Sequence, residues 1–412
     1  MARFPLFIFA ILIYGLLGTP TPDHFGIVEI IVGGLLLFVC GPAGVMQAAS
    51  FYKGQGLSPV WLESARWLML WGLTVPVLTG FLQGHEPIAI GRDLMAFLFF
   101  LLPLWIPFAL MPERRHREIL LWVLCALGLV FVLRVMVSFW VAHQGQSLPF
   151  GFVPDPHNLV NAPTVLLAAL WFTGQGGRLL IEARKGRDVA GATFLFLLAF
   201  VILAGMAAIG QRAHIGAWLV ALLFWLGLLG LKAPFRLGRP LLLSGLVLLC
   251  LWPWAADIAT GLLQKNTLVG LNNRWEEAAA VWQSFGGNPW TILFGQGWGA
   301  SFVSPAVGPF AVTYTHALPT YFIMKTGVVG LMLALAYLVA IAVGLWRISW
   351  SFPVLAVALA APFLIDISLY ASFKTLDFGL LLLLISLWTT RTYPALKSCQ
   401  NGSGWCMQED NP

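Results

Sequence analysis

The sequence predicts an all-α polytopic membrane protein with about twelve transmembrane helices, and three observations predict it. The first is composition: of 412 residues, 59% are hydrophobic and only 10% are charged, with a mean hydropathy of +0.85. No water-soluble surface is built from such a balance. The second is that apolar runs of roughly 18 to 25 residues recur along the chain, the length at which a helix crosses a hydrocarbon core about 30 Å thick. Hydrocarbon offers backbone groups no partners, so each run is expected to be a helix that satisfies its own hydrogen bonds; the short alternating segments of a barrel are not seen. The third is the sorting of Lys and Arg to one set of helix ends.

In order, helices are predicted near 3–18, 27–48, 65–83, 93–111, 118–140, 160–181, 189–210, 213–231, 240–262, 317–345, 352–371 and 375–391. Arg3 precedes an apolar stretch to Gly18 with no clear small-residue cleavage site, which predicts a retained first helix. The chain reads as one transmembrane domain, 1–412. Into it is inserted one large loop, 263–316, between the ninth and tenth helices, and it ends in a short polar tail, 393–412. A connection as long as 263–316 points to a functional element. No internal repeat is present.

Sixteen of the 23 Lys and Arg residues lie at one set of ends: Arg3, Lys53, Arg66, Arg114, Arg115, Arg117, Arg178, Arg184, Lys185, Arg187, Lys232, Arg236, Arg239, Arg347, Arg391 and Lys397. The positive-inside rule then places both termini in the cytoplasm and the long loop on the opposite face. The net charge of +6 follows from this topology and calls for no nucleic acid. Arg92, Arg212, Lys265, Arg274 and Lys374 lie at the other ends, and Arg134 and Lys325 lie inside predicted helices, toward the outer face. Cations placed against insertion preference need a partner or a task. Arg134, Lys325, Arg212, Arg274, Lys265 and Lys374 are expected to form a basic cluster there, with snorkelling to the interface as the alternative, chiefly for Lys374 and Arg92.

Cys40, Cys125 and Cys250 lie in apolar runs, and Cys399 and Cys406 lie in the tail without metal-ligand spacing, so neither a disulfide framework nor a zinc site is expected.

Inside the long loop, Asn273 precedes a helical stretch with Glu276 three residues on, a capping-box arrangement. Trp275, Ala278, Ala279, Trp282 and Phe285 give the helix an apolar stripe suited to the membrane surface. Arg274 occupies the first turn, where N–H groups and the dipole favour an anion and a guanidinium adds a bidentate phosphate contact. An intrahelical pair with Glu277 is the alternative. The Gly295-Gln296-Gly297-Trp298-Gly299 run has no βαβ context and reads as a tight backbone turn, of a kind that lets a ligand come close. Tyr314, Thr315 and His316 close the loop; His316 is an interfacial histidine or a base for a hydroxyl nucleophile. Gln211, Arg212, Ala213 and His214 form a short outer turn in which Arg212 has no nearby carboxylate in sequence. Asp155, Pro156, His157 and Asn158 read as a structured turn, with a metal or acceptor site as the alternative.

Three signals in this order resemble the bacterial O-antigen ligase and polymerase family of membrane glycosyltransferases. Gln211-Arg212 followed by Ala213 to Trp218 resembles its arginine turn. Asn273-Arg274-Trp275 through Ala278 to Gly299 is similar to its Arg-Trp helix, Asn-Pro turn and Gly-x-Gly. Thr315-His316 through Gly327-Val328-Val329-Gly330-Leu331 resembles its histidine entry to a helix bearing Gly-x-x-Gly-Leu. The motifs cover about 205–335. Ala317 stands where the family often has Asn, and Gln211 where it more often has Ser or Thr.

The resemblance implies a GT-C-like fold in the bacterial inner membrane and metal-independent, inverting glycosyl transfer at the periplasmic face, with no cofactor. The donor would be an undecaprenyl-diphosphate-linked glycan. The acceptor would be lipid A core, making the protein an O-antigen ligase of lipopolysaccharide biosynthesis, or a lipid-linked glycan, making it an O-antigen or exopolysaccharide polymerase. Arg212 and Arg274 would bind the diphosphate and His316 would activate the acceptor hydroxyl. Arg134, Lys265, Lys325, Gln211 and Tyr314 would contact diphosphate or glycan. A transporter or flippase of lipid-linked sugars would use the same arginines, but it needs an inward-facing counterpart, and polar residues are sparse on that half.

Overall fold

The computed structural model describes residues 3–20, 26–50, 59–111, 113–144, 156–183, 185–232, 274–306 and 310–400, with isolated positions at 238, 245 and 249. The predicted ninth helix, 240–262, together with Asp155, Lys265 and Asn273, falls essentially outside them.

The described residues form fifteen α-helices and one two-stranded ribbon. The first group comprises α1 (Arg3–Leu17), α2 (Ile27–Ala49), α3 (Val60–Leu82), α4 (Pro87–Phe100), α5 (Leu102–Trp105), α6 (Arg114–His143), α7 (Pro156–Val160), α8 (Pro163–Glu182), α9 (Gly186–Ile209) and α10 (Arg212–Lys232). After residue 273 come α11 (Arg274–Ser284), α12 (Pro289–Phe294), the strands Phe302–Val303 and Ala311–Val312, then α13 (Leu318–Ser351), α14 (Pro353–Ser368) and α15 (Leu376–Gln400). Six helices are long and apolar enough to cross a membrane, namely α2, α3, α6, α8, α9 and α13, and four shorter apolar ones accompany them. This is an all-α, membrane-embedded protein.

Two boundaries differ from the sequence reading for identifiable reasons. The fourth helix starts at Pro87 rather than near 93, so Arg92 and Asp93 lie within it. It breaks at Leu101, two residues before Pro103, giving α4 and α5 instead of one span. The sixth predicted helix is split at Asn161–Ala162, with Pro163 opening α8. At the other end of the chain, α15 continues through Gln400, into the predicted tail.

Helices α8 and α15 form the centre: residues Pro163 to Gly174 and Leu380 to Ser386 are buried throughout. Around them α2, α3 and α10 present bare apolar side chains, including Leu37 at 75% and Leu82 at 78% exposure, as lipid contact requires. Close crossings use small residues: a Cβ on Gly128 of α6 would stand 2.2 Å from the Thr164 carbonyl oxygen of α8.

The Gly-x-Gly-x-Gly run is a docking device within the fold. Gly295, Gly297 and Gly299 have φ of 80°, 86° and 86°, so side chains there would be strained. Gly327, φ 69°, interrupts α13. Among the carbonyls just before that break, those of Met324 and Lys325 accept from the N–H groups of Gln296 and Gly297, and Trp298 N–H donates to Pro76 O of α3. The loop is thus sewn to two membrane helices.

Candidate functional site

The loop helix α11 buries a different face from the one its aromatics suggest. Val281 and Phe285 pack with Phe302 and Met324, and Glu277, one turn before Val281, is 1% exposed. Trp275 and Trp282 instead stand outward at 82% and 57% exposure. The phase is set by Glu277, which has a partner inside.

That partner is His316. Its Nδ1 lies 3.0 Å from Glu277 Oε1, its backbone N–H donates to Oε2 at 3.0 Å, and Ser304 Oγ donates to Oε1 at 3.0 Å. Burial raises the Glu277 carboxyl, and the His316 ring, its backbone N–H and Ser304 outweigh that, leaving its pKa below the ordinary carboxylate value. An ionised carboxylate accepts only, so Nδ1 carries the proton and the lone pair resides on Nε2. Thr315, fully buried, anchors the approach by donating to Ala317 O and accepting from Thr320.

Arg274 opens α11 one turn before Glu277. Its guanidinium is lowered from the ordinary arginine value by burial, against the pull of Glu277 and Tyr370. Its Nη1 is buried and has no hydrogen-bond partner. A buried cationic donor left open in this way is costly unless an anion meets it. The intrahelical alternative therefore holds only at longer range: Glu277 acts on Arg274 electrostatically and gives its hydrogen bonds to His316 and Ser304.

Tyr370, in the turn after α14, joins Arg274 to the α9–α10 turn. Its hydroxyl donates to Gln211 Oε1 at 3.0 Å, and its ring packs edge-on to His214 with centroids 5.3 Å apart. Burial and Asp366 push the phenol up to about 12, while Arg274 and Arg212 both act on it in the other direction. His316, Arg274 and Arg212, far apart in sequence, are thereby gathered through Glu277 and Tyr370. Gly210 in the left-handed region caps α9 and lets Gln211 and Arg212 turn directly into α10.

Lys374, in the 3₁₀ turn Ala371–Lys374, extends the cluster. Its Nζ lies 4.9 Å from the centre of the Tyr314 ring and 5.0 Å from that of Tyr321. Burial lowers it to about 7, with Asp93 opposing and Lys325 and Arg92 reinforcing the shift. Tyr314 also meets the His316 ring edge-on at 5.9 Å, and Arg92 donates to Thr313 at 2.7 Å.

Two expected ligand cations are occupied within the protein. Lys325, fully buried, pairs with Asp93 and donates to Ala300 O, while Asp93 also accepts from Gly299 N–H. Arg134, 3% exposed, donates to Gly15 O and Gly18 O and closes the end of α1. His157 lies in the short helix α7. Among the described residues no group of three His, Cys, Asp or Glu side chains is placed to hold a metal.

Sequence reasoning missed Glu277 as the histidine's partner, Tyr370 as the link, and Asp93 as the partner of Lys325. The last had a signal, since a lysine within a membrane helix demands an acid and Asp93 is one of very few available. No protein-family model matches the chain, and no curated protein matches it.

Proposed function

We propose that this protein is a metal-independent, inverting membrane glycosyltransferase that moves a glycan from undecaprenyl diphosphate to an acceptor hydroxyl. In this reading it crosses the bacterial inner membrane about twelve times with both termini in the cytoplasm, and the site opens at the periplasmic face. The observation that carries the proposal is the Glu277–His316 pair standing one helical turn from the unpartnered Arg274 Nη1: a held base beside an open anion site.

The reaction follows from those groups. His316 Nε2 takes the proton of the acceptor hydroxyl as its oxygen attacks the anomeric carbon. The bond from that carbon to the diphosphate oxygen breaks, and the diphosphate leaves with the electron pair. Attack opposite the leaving group inverts the anomeric centre. Arg274 and Arg212 offset the charge that grows on the diphosphate, the role a metal plays in other phosphate-transfer sites. Glu277 holds the imidazolium until its proton passes to solvent or to the departing diphosphate.

Lipid A core is the acceptor we favour, which makes the protein an O-antigen ligase. The test is the product formed when purified protein in vesicles meets an undecaprenyl-diphosphate oligosaccharide with and without lipid A core. Glycosylated core and released undecaprenyl diphosphate are expected. A lengthened lipid-linked chain in place of glycosylated core indicates a polymerase, and no release under either condition overturns the transferase reading.

A further inference from the structure

The cations near His316 divide into two groups, and the transfer chemistry above uses only one. Arg274 and Arg212 both act on Tyr370. Lys374 is acted on instead by Asp93, Lys325 and Arg92. Tyr370 caps the 3₁₀ turn that ends at Lys374, so one turn of chain joins the two groups. Within the second, Lys325 and Asp93 satisfy each other in their buried pair, and Asp93 also accepts from Gly299 N–H. Lys374 and Arg92 are left over: among the described residues, neither meets a carboxylate within ion-pair distance.

One short segment, Thr313 to His316, brings these two cations to the proposed base. Thr313 Oγ1 accepts from Arg92 at 2.7 Å. The centre of the Tyr314 ring lies 4.9 Å from Lys374 Nζ, and the same ring meets His316 edge-on at 5.9 Å. Arg92 is exposed, and Thr313, Tyr314, His316 and Lys374 are each partly exposed, so a ligand can reach the face they share. Like charges held near one another without an acid between them repel, and burial adds to the cost at Lys374. An arriving anion offsets both effects. Snorkelling does not account for the arrangement. It carries an ammonium away from the protein, whereas Lys374 Nζ ends 5.0 Å from the ring centre of Tyr321, which is only 2% exposed.

Position favours the acceptor over the donor as the source of that anion. The first group of cations is reached from His316 through Glu277 and Tyr370, the second through Tyr314 and Thr313. In the proposed reaction the diphosphate occupies the first, and the acceptor brings its hydroxyl to His316 Nε2.

We propose that Lys374 and Arg92 form a second anion site, which takes a phosphate or carboxylate group carried by the acceptor glycan as its hydroxyl meets His316. The inference rests on the transferase reading and narrows it: the acceptor is an acidic glycan, selected by its charge beside the base.

The test uses the full chain in nanodiscs, with the arginine site first saturated by bare undecaprenyl diphosphate. Glucose 6-phosphate, glucuronate and glucose are then titrated in turn. At least one of the two acidic sugars is expected to bind about tenfold or more tightly than glucose, the scale of a charge-assisted hydrogen bond. Lys374→Met and Arg92→Gln are each expected to remove most of that preference while carrier affinity stays within about twofold. In transfer to lipid A core, both variants are expected to raise the acceptor KM about tenfold and to leave the donor KM within about twofold. No preference for acidic sugars in the wild type, or a preference that survives both variants, overturns the second site and leaves the arginine site intact. Displacement of the carrier by the acidic sugars overturns it too, since they then enter the arginine site. Phosphatidylglycerol retained by the purified wild type and lost from both variants would assign the two cations to bilayer headgroups instead. A carrier that does not bind the wild type at all overturns the transferase reading, and the acceptor role with it.

Discussion

Nδ1 of His316 lies 3.0 Å from Oε1 of Glu277, and the His316 backbone N–H meets the other oxygen of the same carboxylate at 3.0 Å. A two-point grip of this kind fixes both the ring and the chain that carries it. It ties the end of the loop to α11, whose first residue is Arg274, so one short helix positions both His316 and Arg274.

Glu277→Gln therefore lowers kcat for transfer by about 10²-fold or more, in the range seen when the partner of a general base is neutralised, while the donor KM stays within about twofold. Steady-state kinetics in vesicles separates these effects. A fall in kcat and a matching rise in KM would instead mean that Glu277 serves only to fold the loop.

Arg274→Lys retains the charge and loses the planar fork. Binding of undecaprenyl diphosphate weakens by about tenfold or more, because an ammonium cannot form the bidentate phosphate contact. Titration of the bare carrier against protein in nanodiscs reads this directly, and unchanged affinity would make Arg274 a structural residue only.

The Lys325–Asp93 pair is completely enclosed, so removing one partner leaves a charge without relief. Asp93→Asn costs about 3–5 kcal/mol, and Asp93→Leu combined with Lys325→Met recovers most of it. Unfolding midpoints in detergent for Asp93→Leu, Lys325→Met and the double variant form the cycle, with Asp93→Asn as the isosteric control. Equal losses in the single and double variants would assign the cost to packing rather than charge.

Lys374 has its pKa lowered to about 7 from an ordinary 10.5. The unfolded chain then holds this proton more firmly than the folded one, and stability rises with pH across that window. Replacing the lysine by Met removes the dependence. The variant has a higher thermal midpoint than wild type near pH 7, and the gap closes as pH approaches 10; a gap independent of pH contradicts the lowered pKa.

Much of the bundle was legible because membrane helices are written as apolar length, and Pro and Gly mark their ends. The α4 boundary was missed because Arg92 and Asp93 look like the edge of a span, whereas Asp93 is buried inside the helix against Lys325. The phase of α11 was missed for a related reason. Glu277 is as polar as the exposed Glu276 beside it and yet faces inward, since His316 and Ser304 satisfy it. His316, Arg274 and Arg212 stood out as cations and a histidine on the sparsely charged side of the chain. Their connections through Glu277 and Tyr370 did not, because they span 39 residues in the first case and, for Tyr370 with Gln211, 159 in the second. Only the packing of helices fixes contacts at such separations. The glycine run was visible as a turn, but its role of binding the broken α13 depends on Gly327 some thirty residues away.

In the proposed reaction His316 acts as the base for transfer off a lipid diphosphate held by the arginines beside it. The most direct measurement is glycan transfer and carrier binding, side by side, for wild type and His316→Ala in the same vesicles. Transfer is expected to be lost while undecaprenyl-diphosphate binding stays within about twofold of wild type. Undiminished transfer by His316→Ala would contradict it.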